Sequence, residues 1–81
     1  MKTLSPRVTH AQATASYELA ITFDNGQKRT FSMLPYLQYP AFQPLKSTAL
    51  FAQARVAHGT VVWSDDIDIS PDTLYLAGKP A

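Results

Sequence analysis

Residues 17–33, YELAITFDNGQKRTFSM, leave little freedom in how this chain can begin to fold. Tyr17, Leu19, Ile21 and Phe23 alternate with Glu18, Ala20, Thr22 and Asp24, the period-two pattern of a half-buried strand. Asp24-Asn25-Gly26 is a turn signal. Register then chooses the turn. A two-residue turn at Asn25-Gly26 pairs Leu19 with Ser32 and sends Phe31 to the wrong face. A three-residue loop pairs Leu19 with Phe31 and Tyr17 with Met33. Because a one-residue slip inverts every side chain, the second register is expected. It calls for a type I turn with Gly26 left-handed in a bulge. Arg29 then falls opposite Ile21 on the apolar face, at an edge where its head is expected to reach water.

The remaining segments are read around this hairpin. Arg7 to Ala13 is expected to form a preceding strand. Pro35, Pro40 and Pro44 argue against a long helix in the middle of the chain. A turn is expected over Leu34 to Leu37, then a compact loop pinned by Phe42 and Leu45. A short helix from about Ser47 to Gln53 follows, with Ser47 as its N-cap. ARVAHGTVVW reads as two short strands joined at Ala57-His58-Gly59, and Trp63, at the end of an apolar run, is expected in the core or at its rim.

WSDDIDISPDTLY, residues 63–75, carries four of the six acidic residues and is the one stretch that looks chemical. An EF-hand loop started at Asp66 finds Asp68 and Ser70, but Pro71 stands where glycine is required and Ala77 where glutamate is required. The remaining carboxylates, Glu18 and Asp24, lie on a separate hairpin, so a two-metal site lacks ligands. The architectural reading is simpler. Asp65-Asp66 makes a solvated turn, Ile67 and Ile69 point inward around Asp68, and Ser70 caps a helix opened by Pro71. Asp72 sits in its first turn, where the helix dipole favours it. Leu74 and Tyr75 share one face, and Gly78 ends the helix.

Other chemistries find no support in the residues. There is no cysteine, His10 and His58 have no metal-ligand spacing, and no Gly-x-Ser-x-Gly occurs. The three glycines are isolated, which excludes a phosphate loop. Lys28 and Arg29 could touch phosphates and Tyr36, Tyr39 and Trp63 could stack on bases, but the basic residues are too few for a stripe. Charge is uneven: residues 1–60 carry +4, whereas residues 61–81 carry −3. That asymmetry suits docking, or a mixed surface once the chain folds back. No leader-like or membrane-length apolar run is present, and a cytoplasmic location is expected.

Four segments together resemble a small bacterial family, domain of unknown function 2442: TFDNGQKRTF (22–31), LPYL (34–37), FQPLKSTALFAQARV (42–56) and GTVVWSDDIDISPDTLY (59–75). The last is the most specific, through Val62-Trp63, Ile67-Asp68-Ile69, Pro71-Asp72 and Leu74-Tyr75. Ser32 stands where related sequences often carry an acidic residue. The resemblance implies no established activity and no catalytic residue. Some similar proteins carry a C-terminal helix-turn-helix domain; others are short chains paired with a second small protein, as in toxin–antitoxin modules. The sequence ends at Ala81 without a helix-turn-helix segment, so direct DNA recognition is not expected.

The expectation is one α+β domain, a mainly antiparallel sheet of about five strands with two short helices. Its function is read as a non-enzymatic interaction or regulatory module without a cofactor. It would act on another protein chain, either a second copy or a small gene-pair partner. Tyr36, Tyr39, Lys28 and Arg29 are the candidate surface, while Asn25, Gly26, Trp63, Asp68, Ser70, Pro71, Asp72 and Tyr75 are structural. Accessory nucleic-acid binding is the second reading, and a small enzyme or metal protein the third.

Overall fold

The computed structural model describes residues 6–64 and 66–80. Strands β1 (Val8–Thr14), β2 (Glu18–Phe23), β3 (Lys28–Ser32) and β7 (Lys79–Pro80) form an antiparallel sheet in the order β1-β2-β3-β7. Strands β4 (Arg55–Ala57), β5 (Thr60–Ser64) and β6 (Ile67–Ile69) form a second antiparallel sheet. Two short helices, α1 (Thr48–Phe51) and α2 (Pro71–Ala77), complete an α+β domain. The antiparallel class is as the sequence suggests, but among the described residues the strands are seven and split between two sheets. The proline-rich stretch 34–46 folds as 3-10 turns and interrupts the ladder between β3 and β4. The sheets meet where the Val8 N–H donates to the Gly59 carbonyl at 2.8 Å.

The β2–β3 hairpin adopts the three-residue loop. Leu19 lies opposite Phe31 and Ile21 opposite Arg29, the Gly26 N–H donates to the Phe23 carbonyl at 3.0 Å, and Gly26 has φ +86°. The β1–β2 connection is less conventional. Ser16 (φ 66°) and Tyr17 (φ 60°) are both left-handed without being glycine, a conformation that costs roughly 1–2 kcal/mol per residue. Tyr17 is held from outside the turn: its hydroxyl donates to the Lys46 carbonyl and its ring packs edge-on against Phe51 at 5.2 Å.

One core joins both sheets, with Leu19, Ile21, Phe31 and Met33 from the first and Val61, Trp63, Ile67 and Ile69 from the second. Trp63 is 1% exposed, stacks on Phe51 at 6.0 Å, and donates its indole N–H to the Phe51 carbonyl at 3.1 Å. Ser47 caps α1 through the Leu50 N–H, and Ser70 caps α2 by accepting from the Thr73 N–H at 3.1 Å.

Two details differ from the sequence reading. The half-buried Arg29 head does more than reach the surface, where its Nη2 meets exposed Gln27: Nη1 donates to the carbonyls of Tyr75 and Gly78, which lie past the last intrahelical donors of α2. Gly78 ends α2 with φ −71°, so left-handedness is not why it is glycine. A Cβ there would lie 2.5 Å from the Leu74 carbonyl oxygen and 3.1 Å from the Arg29 Cβ. Of the expected Asp65–Asp66 turn, Asp66 is exposed with its N–H on Ser64 Oγ, and Asp65 lies outside the described residues.

Candidate functional site

Among the described residues the acidic stretch assembles no metal-ligand cluster. Asp66, Asp68 and Asp72 are all exposed, and Asp68 stands opposite Val62 on β6 while Asp72 sits on the first turn of α2. Among the described residues no cluster of three His, Cys, Asp or Glu side chains could hold a metal, and no buried side-chain nitrogen or oxygen lacks a hydrogen-bond partner. His10 lies on β1, whereas exposed His58 occupies the β4–β5 turn at φ 55°. No described helix is long and apolar enough to cross a membrane.

What the fold does build is an aromatic surface where β3 ends. Met33 leaves the strand and its carbonyl accepts from the Tyr36 N–H at 2.9 Å, closing a turn that Pro35 suits by fixing φ. Tyr36 is the hub, with Phe31 at 5.3 Å beneath it, Tyr39 at 6.1 Å beside it and Phe42 edge-on at 6.5 Å. Buried Leu37 and Leu45 pin the loop to the core. Outward it presents Leu34, 55% exposed, and Tyr39, 50% exposed.

A groove runs from this surface along the outer edge of β3. Phe31, Ser32 and Tyr36 line one side, Ala77 and Lys79 the other, and Glu18 faces it from β2. Strand β7 pairs only with Arg29 and Thr30, and its second residue, Pro80, has no N–H to give. Continued, that register would set Ser32 opposite Ala77, which is already helical. The last large exposed apolar residue, Leu76 at 78%, adjoins the groove through Ala77.

Of the four residues named from sequence, Tyr36 and Tyr39 therefore stand together. Lys28 is exposed at the hairpin end of β3, and Arg29 is drawn under α2. Leu34, Leu76, Glu18 and Lys79 were not singled out by sequence. The Lys79-Pro80 pair was a usable signal, because lysine and proline mark edge strands.

A solved structure from Nitrosomonas europaea ATCC 19718, described as a candidate DNA binding protein, NE0471, is similar with a TM-score of 0.81 at 25% identity. The match covers 95% of this chain and 51% of that one, so this chain spans about half the length of that relative. No curated protein matches the chain. The family described as protein of unknown function DUF2442 matches residues 8–80, from the first strand to the last, and the chain belongs to that family.

Proposed function

We propose that this protein is a small non-enzymatic interaction or regulatory module that works by docking a protein partner on the Leu34–Tyr36–Tyr39 surface. The observation that carries the reading is Tyr39, half exposed yet packed at a tilt against Tyr36, which itself rests on Phe31. Large exposed side chains held this way lose little freedom on binding, and aromatic anchors commonly dominate interface energetics. Pro35, Pro40 and Pro44 stiffen the loop that carries them. Immobilised protein incubated with lysate of its native host should retain a specific protein, and Leu34→Ser with Tyr39→Ala should lose it while melting normally. Capture unchanged by both substitutions rules out this surface.

A second reading, accessory nucleic-acid binding, has one observation of its own. His10, Lys28 and Lys79 fall on the same uncovered face of the large sheet, since His10 pairs with Thr22, Thr22 with Lys28 and Lys79 with Thr30. The description of the Nitrosomonas europaea relative as a candidate DNA binding protein favours it too. Glu18 shares that face, however, and the two lysines imply a salt slope no steeper than about −2. Anisotropy of a labelled duplex at low and moderate salt tests it, and no binding at low salt ends it.

A further inference from the structure

From the edge of β3 we infer that the partner this surface takes is a second copy of the same chain, joined across the Ser32 edge by a twofold axis that sets Glu18 of each copy beside Lys79 of the other. This rests on the docking surface proposed above and specifies its occupant.

The backbone supplies the first argument. In the β2–β3 ladder the Phe23 N–H bonds to the Gln27 carbonyl and the Met33 N–H to the Tyr17 carbonyl. Odd-numbered residues of β3 thus face β2, and the N–H and C=O of Lys28, Thr30 and Ser32 point to the outer edge. Lys79 meets Thr30 there, but on this outer edge no described strand meets Ser32. The chain between α2 and β7 does not fill the place. Gly78 lies against the core-facing Arg29 stem, and Ser32 and Ala77 both line the groove that remains at this place. An unpaired edge of this kind is a template for a strand from another chain.

Charge selects which chain. Glu18 and Lys79 line the same groove, and among the described residues neither has an ion-pair partner. One acid and one base flanking a strand edge are self-complementary under a twofold, because an isologous interface brings residue i to j and j to i. The register gives the distances. With about 4.8 Å between strands and about 3.3 Å per residue, Lys79 is about 12 Å from its own Glu18, two strands over and two residues along. Pairing Ser32 with the partner's Ser32 puts Lys79 only one strand and two residues from the partner's Glu18, about 8 Å between Cα atoms, within reach of long side chains. Two such pairs form at once. The same arrangement carries each exposed Leu34 towards the other copy's α2 end, where Leu76 is exposed.

Light scattering across a dilution series should give twice the chain mass at high concentration. Glu18→Lys and Lys79→Glu should each weaken association by at least about tenfold, and the double variant should restore it, since only the pair carries the coupling. Should a variant fold poorly, zero-length carbodiimide coupling of the unaltered protein gives an independent reading. A covalent dimer with Glu18 joined to Lys79 is expected. A protein that stays monomeric at millimolar concentration, or a dimer indifferent to both charge reversals and not coupled through these residues, overturns the inference. A monomer that retains a different protein through Leu34 and Tyr39 overturns the self-pairing but not the docking surface. A monomer that retains nothing overturns both.

Discussion

The guanidinium carbon of Arg29 lies 4.5 Å from the centre of the Tyr75 ring, while its Nη1 donates to the Tyr75 carbonyl at 3.1 Å and the Gly78 carbonyl at 3.3 Å. A single side chain from β3 thus closes the carbonyl end of α2 and covers the ring of Tyr75. Tyr75 packs edge-on against Phe23 at 5.1 Å, so the same contact joins the last helix to the first hairpin. The guanidinium spreads its donors, Nη1 to both carbonyls and Nη2 to Gln27 Oε1, while lying over the ring, a span that a compact ammonium does not cover. Arg29→Lys should therefore cost about 1–3 kcal/mol despite keeping the charge, read from urea unfolding. A loss below about 0.3 kcal/mol would show that the helix end is held by packing alone.

Gly26 and Gly78 should respond to alanine for unrelated reasons. At Gly26 nothing lies within 4 Å of an added Cβ, and only the backbone at φ +86° resists it. Gly26→Ala should cost about 1–2 kcal/mol, and Gly26→Asn, which tolerates the left-handed region, should cost less. Equal melting temperatures for the two variants would show that the turn is not strained.

Gly78 has an ordinary φ, yet a Cβ would stand 2.5 Å from the Leu74 carbonyl oxygen, closer than any real contact. Gly78→Ala should cost about 1–3 kcal/mol by forcing backbone and the Arg29 stem apart. It should also weaken the Arg29 contact, so the Arg29→Lys and Gly78→Ala losses should be less than additive. Strict additivity in a double-variant cycle would separate the two features.

Ser70→Ala should cost about 0.5–2 kcal/mol, because its Oγ accepts from the Thr73 N–H at the start of α2. Asp66→Asn, by contrast, removes an exposed charge and should change stability by less than about 0.5 kcal/mol. Calcium, magnesium or manganese should leave the melting temperature unchanged. A metal-dependent rise abolished by Asp66→Asn or Asp68→Asn would make the acidic stretch a site after all.

How much of this was legible in the sequence depends on the range of the interactions. The β2–β3 register, the Ser47 and Ser70 caps and the inward-facing Ile67 and Ile69 follow from neighbours a few residues apart, and the structure has all of them. Tyr36 and Tyr39 were readable as a pair because Pro35 and Pro40 bend the chain around them. The bonds from Arg29 to the end of α2 were not readable, since those acceptors lie 46 and 49 residues away. Nor was the division into two sheets, because no local pattern says which strands will share a ladder. The groove has the same origin: Glu18, Ser32 and Lys79 come together only once β7 returns to β3.

The two left-handed residues at Ser16 and Tyr17 bear on the order in which the large sheet assembles. The β2–β3 hairpin carries its own instructions, an Asn25-Gly26 turn and local apolar pairs, and can close early. The β1–β2 turn cannot rely on its own residues in the same way, because the phenol that steadies it bonds to Lys46, 29 residues on. That contact forms only after the proline-rich segment and α1 have arrived. Strand β1 should accordingly join after the folding barrier is crossed. Kinetic analysis of Tyr17→Phe should place its loss mainly in faster unfolding, with a φ-value near zero, whereas Leu19→Ala and Phe31→Leu should slow folding.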